Sequence, residues 1–85
     1  MEYPVLTTAQ LALHLRSLRK ARGLTQTALG EKLGLNQARV GKIERDPGSV
    51  SVRQLMQLLA LLEVRLSLVD QPHKAQRRNP EPRPW

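Results

Sequence analysis

The side chains of this chain that could do chemistry are mostly basic. The 85 residues include 14 Lys and Arg against seven Asp and Glu, a formal net charge of +7, and most of the excess stands between positions 16 and 45. Clustered positive charge is typical of proteins that bind nucleic acid or an anionic membrane, although a solvated basic face gives the same count.

Residue types suited to catalysis or metal binding are scarce. Cysteine is absent, which removes disulfides and thiolate metal sites and fits a reducing compartment. His14 and His73 are the only imidazoles, and a packing or surface role is favoured for His14 over metal binding. No phosphate-cradling glycine loop or acid–base pair occurs. We therefore expect no enzyme activity, no metal, no cofactor and no small-molecule substrate.

The length allows one small domain, and its single core is only marginally stable unless a disulfide, a metal or a partner subunit adds to it. With no disulfide and no metal, a partner subunit is the expected supplement. The longest apolar stretch is interrupted well before the roughly 18 residues of a membrane span, and no leader-like segment opens the chain. A soluble cytoplasmic protein is therefore expected.

Four helices are predicted by N-cap residues followed by apolar residues at helical spacing. The first is expected from about Thr8 to Arg22, with Gly23 as its stop. The other three have their expected N-caps at Thr25, Asn36 and Ser51. The fourth carries an i, i+3, i+4, i+7 stripe formed by Leu55, Leu58, Leu59 and Leu62.

The stretch TQTALGEKLGLNQARVGKIE at positions 25–44 joins two short helices by a turn at Gly34. Ala28 is the small residue expected where these helices approach closely, and Val40 and Ile43 face a common core. The stretch resembles the XRE/Cro class of phage and plasmid repressors, whose signature runs LTQ, then A, then LG, then a polar helix ending in IE. The resemblance covers about residues 9–62. It implies an all-α, lambda-repressor-like helix-turn-helix domain of four to five helices.

In that class, the second helix of the motif enters the major groove of double-stranded operator DNA. The resemblance therefore implies base readout by Asn36, Gln37, Ala38, Arg39, Gly41 and Lys42. Gln37 can bond adenine bidentately, Arg39 can bond guanine, and the methyl of Ala38 can contact thymine. Gly41 departs from the family pattern: either the backbone approaches DNA closely there, or one base contact is lost.

Phosphate contacts are expected where helix one ends and helix two begins. Gln26 matches the position at which the resembled class bonds a phosphate, and the free amides of the helix N-terminus help there. The other residues assigned to phosphate are Thr25, Arg19 and Lys20. Glu44 ends the recognition helix, and we expect it to pair with an arginine of helix one rather than to repel phosphate.

Beyond Leu62, the hydrophobic period changes from helical to alternating. Val64, Leu66 and Leu68 predict a half-buried strand with two unpaired edges. Pairing with a second copy of the chain would remove one edge, and pairing with Tyr3 to Leu6 is the alternative, weakened by Pro4. We therefore expect a homodimer, with a DNA-binding domain at 1–62, a dimerisation strand at 63–70 and a tail at 71–85.

The basic, proline-rich tail has too few apolar residues to order itself and is predicted to be disordered when free. It ends in Trp85, the only tryptophan, which is either a partner anchor or an incidental terminus. A four-helix domain, one strand with the phrase LEVRLSLVD, and a polar tail ending in tryptophan resemble the HipB antitoxins. That resemblance implies autoregulation of an operon and neutralisation of a HipA-like kinase toxin. A stand-alone XRE regulator is the alternative, and a basic amphipathic protein at membranes is the weakest reading.

Overall fold

A computed structural model describes residues 2–70, in which the regular secondary structure is entirely helical. The elements in chain order are α1 (Thr8–Ala21), α2 (Gln26–Leu33), α3 (Gln37–Arg45), a 3-10 helix (Pro47–Ser49) and α4 (Val52–Leu61). The predicted all-α class with four helices is confirmed. The predicted tail, including Trp85, lies outside the described residues.

Each α-helix begins at a side chain that accepts a hydrogen bond from the backbone of its first turn. Thr7 forms a capping box with Gln10, in which each side chain bonds the other residue's backbone N–H. The three further caps are the predicted Thr25, Asn36 and Ser51. Local chemistry therefore fixes where the helices start.

Helices α1, α2 and α4 end at residues in the left-handed conformation. Gly23 and Gly34 take φ values of 72° and 73°, which glycine adopts without steric cost. The corresponding residue after α4 is Glu63, with φ of 62°. Amides of Glu63 and Val64 then bond carbonyls of the last turn of α4. A strand after α4 therefore cannot include Glu63, contrary to the predicted boundary at residue 63.

The core lies between the four α-helices, each of which contributes buried side chains to it. Its fully buried side chains are Leu15, Leu29, Val40, Ile43, Leu58 and Leu62. The closest approach of α2 to the chain entering α3 occurs at Gly30, where a Cβ atom would lie 2.5 Å from the carbonyl oxygen of Leu35. This corrects the expectation for Ala28, which is half-buried. Only glycine fits at that contact.

The segments on either side of the helices have no regular secondary structure among the described residues. In the single chain, residues 64–70 form no strand with Tyr3–Leu6, so the alternative pairing is not present. Tyr3 instead packs its ring against His14, with 5.0 Å between centroids. Within residues 2–70, no helix is both long and apolar enough to cross a membrane.

Candidate nucleic-acid interface

The end of α1 and the starts of α2 and α3 surround a shallow, open depression. Its lining includes Lys20, Thr25, Gln26, Thr27 and Gln37. Thr25, Gln26 and Thr27 belong to the N-terminus of α2, where the N–H of Ala28 is satisfied by Oγ1 of Thr25. A helix N-terminus beside an exposed lysine attracts negative charge, so the depression suits a phosphate.

A buried ion pair lies beneath this depression. Nε of Arg19 is 2.6 Å from Oε2 of Glu44, and Nη2 of Arg19 donates to Oε1 at 3.2 Å. The Glu44 side chain is 2% exposed, and the third guanidinium nitrogen of Arg19 donates to the carbonyl of Leu24. Glu44 therefore pairs with an arginine of α1, as predicted. The assignment of Arg19 to phosphate is corrected, because its guanidinium is turned inward and already has protein acceptors.

Two glutamines extend the ion pair to the protein surface. Nε2 of Gln26 donates to Oε1 of Glu44 at 3.1 Å, which leaves the amide oxygen of Gln26 free to accept. Nε2 of Gln37 donates to that oxygen at 2.5 Å. The side chain of Gln37, at the start of α3, is therefore held by a chain of hydrogen bonds that begins at the buried carboxylate.

The outward face of α3 carries the other exposed candidates. Ala38 and Lys42 are exposed one turn apart, and Arg45 continues the same row at i+7 from Ala38. Arg45 was not among the predicted contacts, although its spacing from Ala38 was visible in the sequence. Asn36 is also exposed, but its side-chain oxygen accepts the amide of Arg39 and so caps the helix.

Gly41 differs from the other predicted readout residues because it is buried. A Cβ atom at this position would lie 3.5 Å from Oε1 of Gln26 and 3.5 Å from Nη1 of Arg45, which are ordinary contact distances. A methyl group would therefore fit beside Gln26 without displacing it.

Arg39 lies on the flank of α3 that faces α4. Its side chain is half-buried, and Nη2 donates to Oε1 of Gln54 at 3.4 Å. The predicted residues that line one depression are Arg19, Lys20, Thr25, Gln26 and Gln37, although the guanidinium of Arg19 is bonded to Glu44. Arg39 stands on the opposite flank of α3.

Comparison with known proteins connects this arrangement to a family. The helix-turn-helix family model matches residues 15–69. Antitoxin HipB of Escherichia coli O6:H1 (strain CFT073) is 30% identical over 66 residues, which are 78% of this chain and 70% of that protein. Antitoxin HipB of Escherichia coli (strain K12) is 29% identical over 66 residues, covering 78% of this chain and 75% of that protein.

Solved structures of HipB share the fold. In a HipB–O4 20mer complex, the matching chain has a TM-score of 0.74 at 27% identity, over 84% of this chain and 100% of that one. The same values hold for a chain of a HipA–HipB–O2–O3 complex. The family comprises DNA-binding antitoxins and not enzymes. With its capped helices, its helix-turn-helix and the exposed face of α3, the chain belongs to the HipB-type antitoxins of the XRE helix-turn-helix family.

Proposed function

We propose that this chain is an antitoxin that binds operator DNA as a homodimer, represses its own operon and neutralises a HipA-like kinase toxin. The observation that carries the proposal is the exposed face of α3 beside the open N-terminus of α2. A helix presented in this way fits the major groove while the neighbouring helix N-terminus receives a phosphate.

The proposed DNA contacts divide into two classes. Lys20, Thr25 and Gln26 surround the depression and contact phosphate, which positions the protein without reading sequence. Base edges are read from α3 by Asn36, Gln37, Ala38, Arg39 and Lys42. Gly41 offers no side chain to a base, and its position beside Gln26 has room for a methyl group.

Dimerisation is supported by apolar side chains that the single chain leaves in solvent. Leu66 is 52% exposed, Leu68 is 93% exposed, and Met56 on α4 is 49% exposed. Met56 and Leu66 line the same depression between α4 and the segment that follows it. A second copy that pairs its 64–70 segment with this one would cover these groups and close one strand edge.

Solved complexes of the related HipB proteins support the two partners proposed for this chain. HipB occurs in a complex with an O4 20mer and in a complex with HipA, O2 and O3. By family membership we assign the same two kinds of partner to this chain: operator DNA and a HipA-like kinase.

Co-purification from the native operon tests the proposal. Tagged full-length protein is expressed with its chromosomal neighbours, and the retained DNA and proteins are identified together. We expect DNA from the operon's own control region and a kinase-like protein. Retention of the DNA without any protein partner would favour a stand-alone XRE regulator, whereas retention of neither would contradict the proposal.

Trp85 is the proposed anchor for the toxin, on the sequence argument alone. Calorimetry of the full-length protein, Trp85→Ala and a chain truncated after residue 70 against the co-encoded kinase measures its contribution. A buried aromatic anchor is typically worth about 2 kcal/mol or more, so both variants should bind more weakly. Equal affinities for all three proteins would remove Trp85 from the interface.

A further inference from the structure

A side-chain contact joins the recognition helix to the helix that follows it. Nη2 of Arg39 in α3 donates to Oε1 of Gln54 in α4 at 3.4 Å, and both side chains are half-buried. At about 100° per residue, Arg39 lies on the opposite flank of α3 from Gly41, which faces Gln26. The Arg39–Gln54 contact is therefore separate from the network built on Glu44.

We propose that Gln54 is a positioning residue that sets the direction from which Arg39 reaches a base. The inference rests on the proposed function, in which Arg39 reads a guanine edge. Gln54 would not itself contact DNA in this role. It would act on sequence preference through the guanidinium that it holds.

The backbones at both ends of this contact are fixed. Arg39 is in the first turn of α3, where its amide donates to Oδ1 of Asn36 at 2.8 Å. Gln54 is in the first turn of α4, where its amide donates to Oγ of Ser51 at 3.0 Å. Because two N-caps hold the two Cα positions, the side-chain contact between them restricts the rotamers of Arg39.

Restricting those rotamers matters for base readout. Bidentate bonding to guanine requires the planar guanidinium to align with O6 and N7, and a free arginine must lose much rotamer entropy to do so. An acceptor that already holds one nitrogen removes part of this cost before DNA arrives.

The chemistry of glutamine suits this role better than that of glutamate. A carboxylate would bind the guanidinium more strongly and would compete with guanine for it. A neutral amide oxygen at 3.4 Å holds one nitrogen weakly and leaves the other guanidinium donors free. It also places no negative charge beside the DNA backbone.

A double-mutant cycle tests the proposal on the full-length protein. Selection from a randomised duplex pool first gives the preferred site of the wild type and the base pair at which Arg39→Ala relaxes preference. Affinities of Gln54→Ala, Arg39→Ala and the double variant are then measured on three duplexes: the selected site, the site with that base pair exchanged, and a shuffled sequence. Gln57→Ala is the control, because Gln57 is exposed on the same helix.

We expect Gln54→Ala to lower discrimination at that base pair by about two- to threefold, the lower end of the net contribution of one hydrogen bond, because the contact is long and half-buried. Binding to the shuffled duplex and its salt dependence should match the wild type and Gln57→Ala. In the Arg39→Ala background, Gln54→Ala should change discrimination no further, because the held group is gone.

Other outcomes overturn the inference. An equal loss on the shuffled duplex, or a Gln54→Ala effect that persists without Arg39, would show that Gln54 supports only the fold. An Arg39→Ala variant that keeps full base preference would show that Arg39 reads no base, so Gln54 would have no reading group to position. If the wild type selects no sequence at all, the proposed function itself fails. If it selects a well-defined site but the effects of Gln54→Ala and Arg39→Ala simply add, only the role of Gln54 fails.

Discussion

At the residue scale, two glycines inside helices have opposite surroundings. A Cβ at Gly30 would lie 2.5 Å from the carbonyl oxygen of Leu35, whereas a Cβ at Gly41 would make only ordinary contacts. We expect Gly30→Ala to lower the free energy of unfolding by about 1 to 3 kcal/mol through overpacking. Gly41→Ala should raise it by about 0.5 to 1 kcal/mol, because alanine is the better helix former.

Urea denaturation of the two glycine variants and the wild type measures whether each substitution lowers or raises the free energy of unfolding. Equal destabilisation by the two substitutions would contradict the difference in space seen around these glycines. Operator binding by Gly41→Ala adds a second result. If the variant is stable and its affinity is unchanged, DNA does not approach the protein backbone closely at that position.

Arg19 and Lys20 are adjacent in sequence but have different environments. Arg19 holds the buried Glu44, so Arg19→Ala leaves a carboxylate without its partner and should cost about 3 to 5 kcal/mol of stability. Lys20 is exposed beside the depression, so Lys20→Ala should change stability by less than about 0.5 kcal/mol. On DNA, Lys20→Ala should reduce the salt slope of binding by about 1, because one phosphate contact is removed.

Thermal unfolding and binding titrations at several salt concentrations separate these two roles. If Arg19→Ala folds well and its DNA binding has a reduced salt slope, Arg19 contacts phosphate after all. If Lys20→Ala and the wild type have the same salt slope, Lys20 makes no phosphate contact.

At the scale of the elements, the sequence was most informative where the structure depends on neighbouring residues. The N-caps Thr25, Asn36 and Ser51 were predicted correctly, since a cap bonds an amide only a few residues away. The close contact at Gly30 was assigned to Ala28, and Arg19 was assigned to phosphate. Both depend on how one helix is rotated against another, which a single sequence does not specify.

The end of α4 offers a test of strain in one element. Glu63 takes a left-handed conformation in which a Cβ atom is unfavourable, and its carboxylate is 4.0 Å from Nε of Arg22. We expect Glu63→Gly to stabilise the protein by about 1 kcal/mol. Glu63→Ala is the control, because it removes the same exposed ion pair but keeps the Cβ atom.

Chemical denaturation of the two Glu63 variants distinguishes backbone strain from charge. If glycine and alanine give the same stability, the conformation at Glu63 carries no cost. If both variants lose stability, the exposed pair with Arg22 contributes more than such pairs usually do.

At the scale of the whole molecule, the predicted strand requires a second chain. Residues 64–70 have no regular structure in the single chain, and Leu68 is 93% exposed. Strand edges are satisfied only by pairing, so alternation along the sequence predicts a strand without fixing its partner. The dimer therefore remains a prediction, although the exposed leucines agree with it.

Lysine substitutions on the two faces of this segment test the dimer and its DNA geometry together. Leu68 shares its predicted strand face with Leu66, whereas Val69, which is 71% exposed, points to the opposite face. Leu68→Lys should bury a charge between subunits and give monomers at micromolar concentration. Val69→Lys adds the same charge on the outer face and should remain dimeric.

The loss of the dimer should also change DNA binding, because a two-fold dimer places its recognition helices about 34 Å apart, in successive major grooves of a near-palindromic site. A monomeric Leu68→Lys protein would read one half-site and lose the affinity gained by linking two. Sedimentation and titration on full and half sites measure both effects. A monomeric wild type, or equal behaviour of Leu68→Lys and Val69→Lys, would mean that the alternating leucines serve a surface other than the dimer interface.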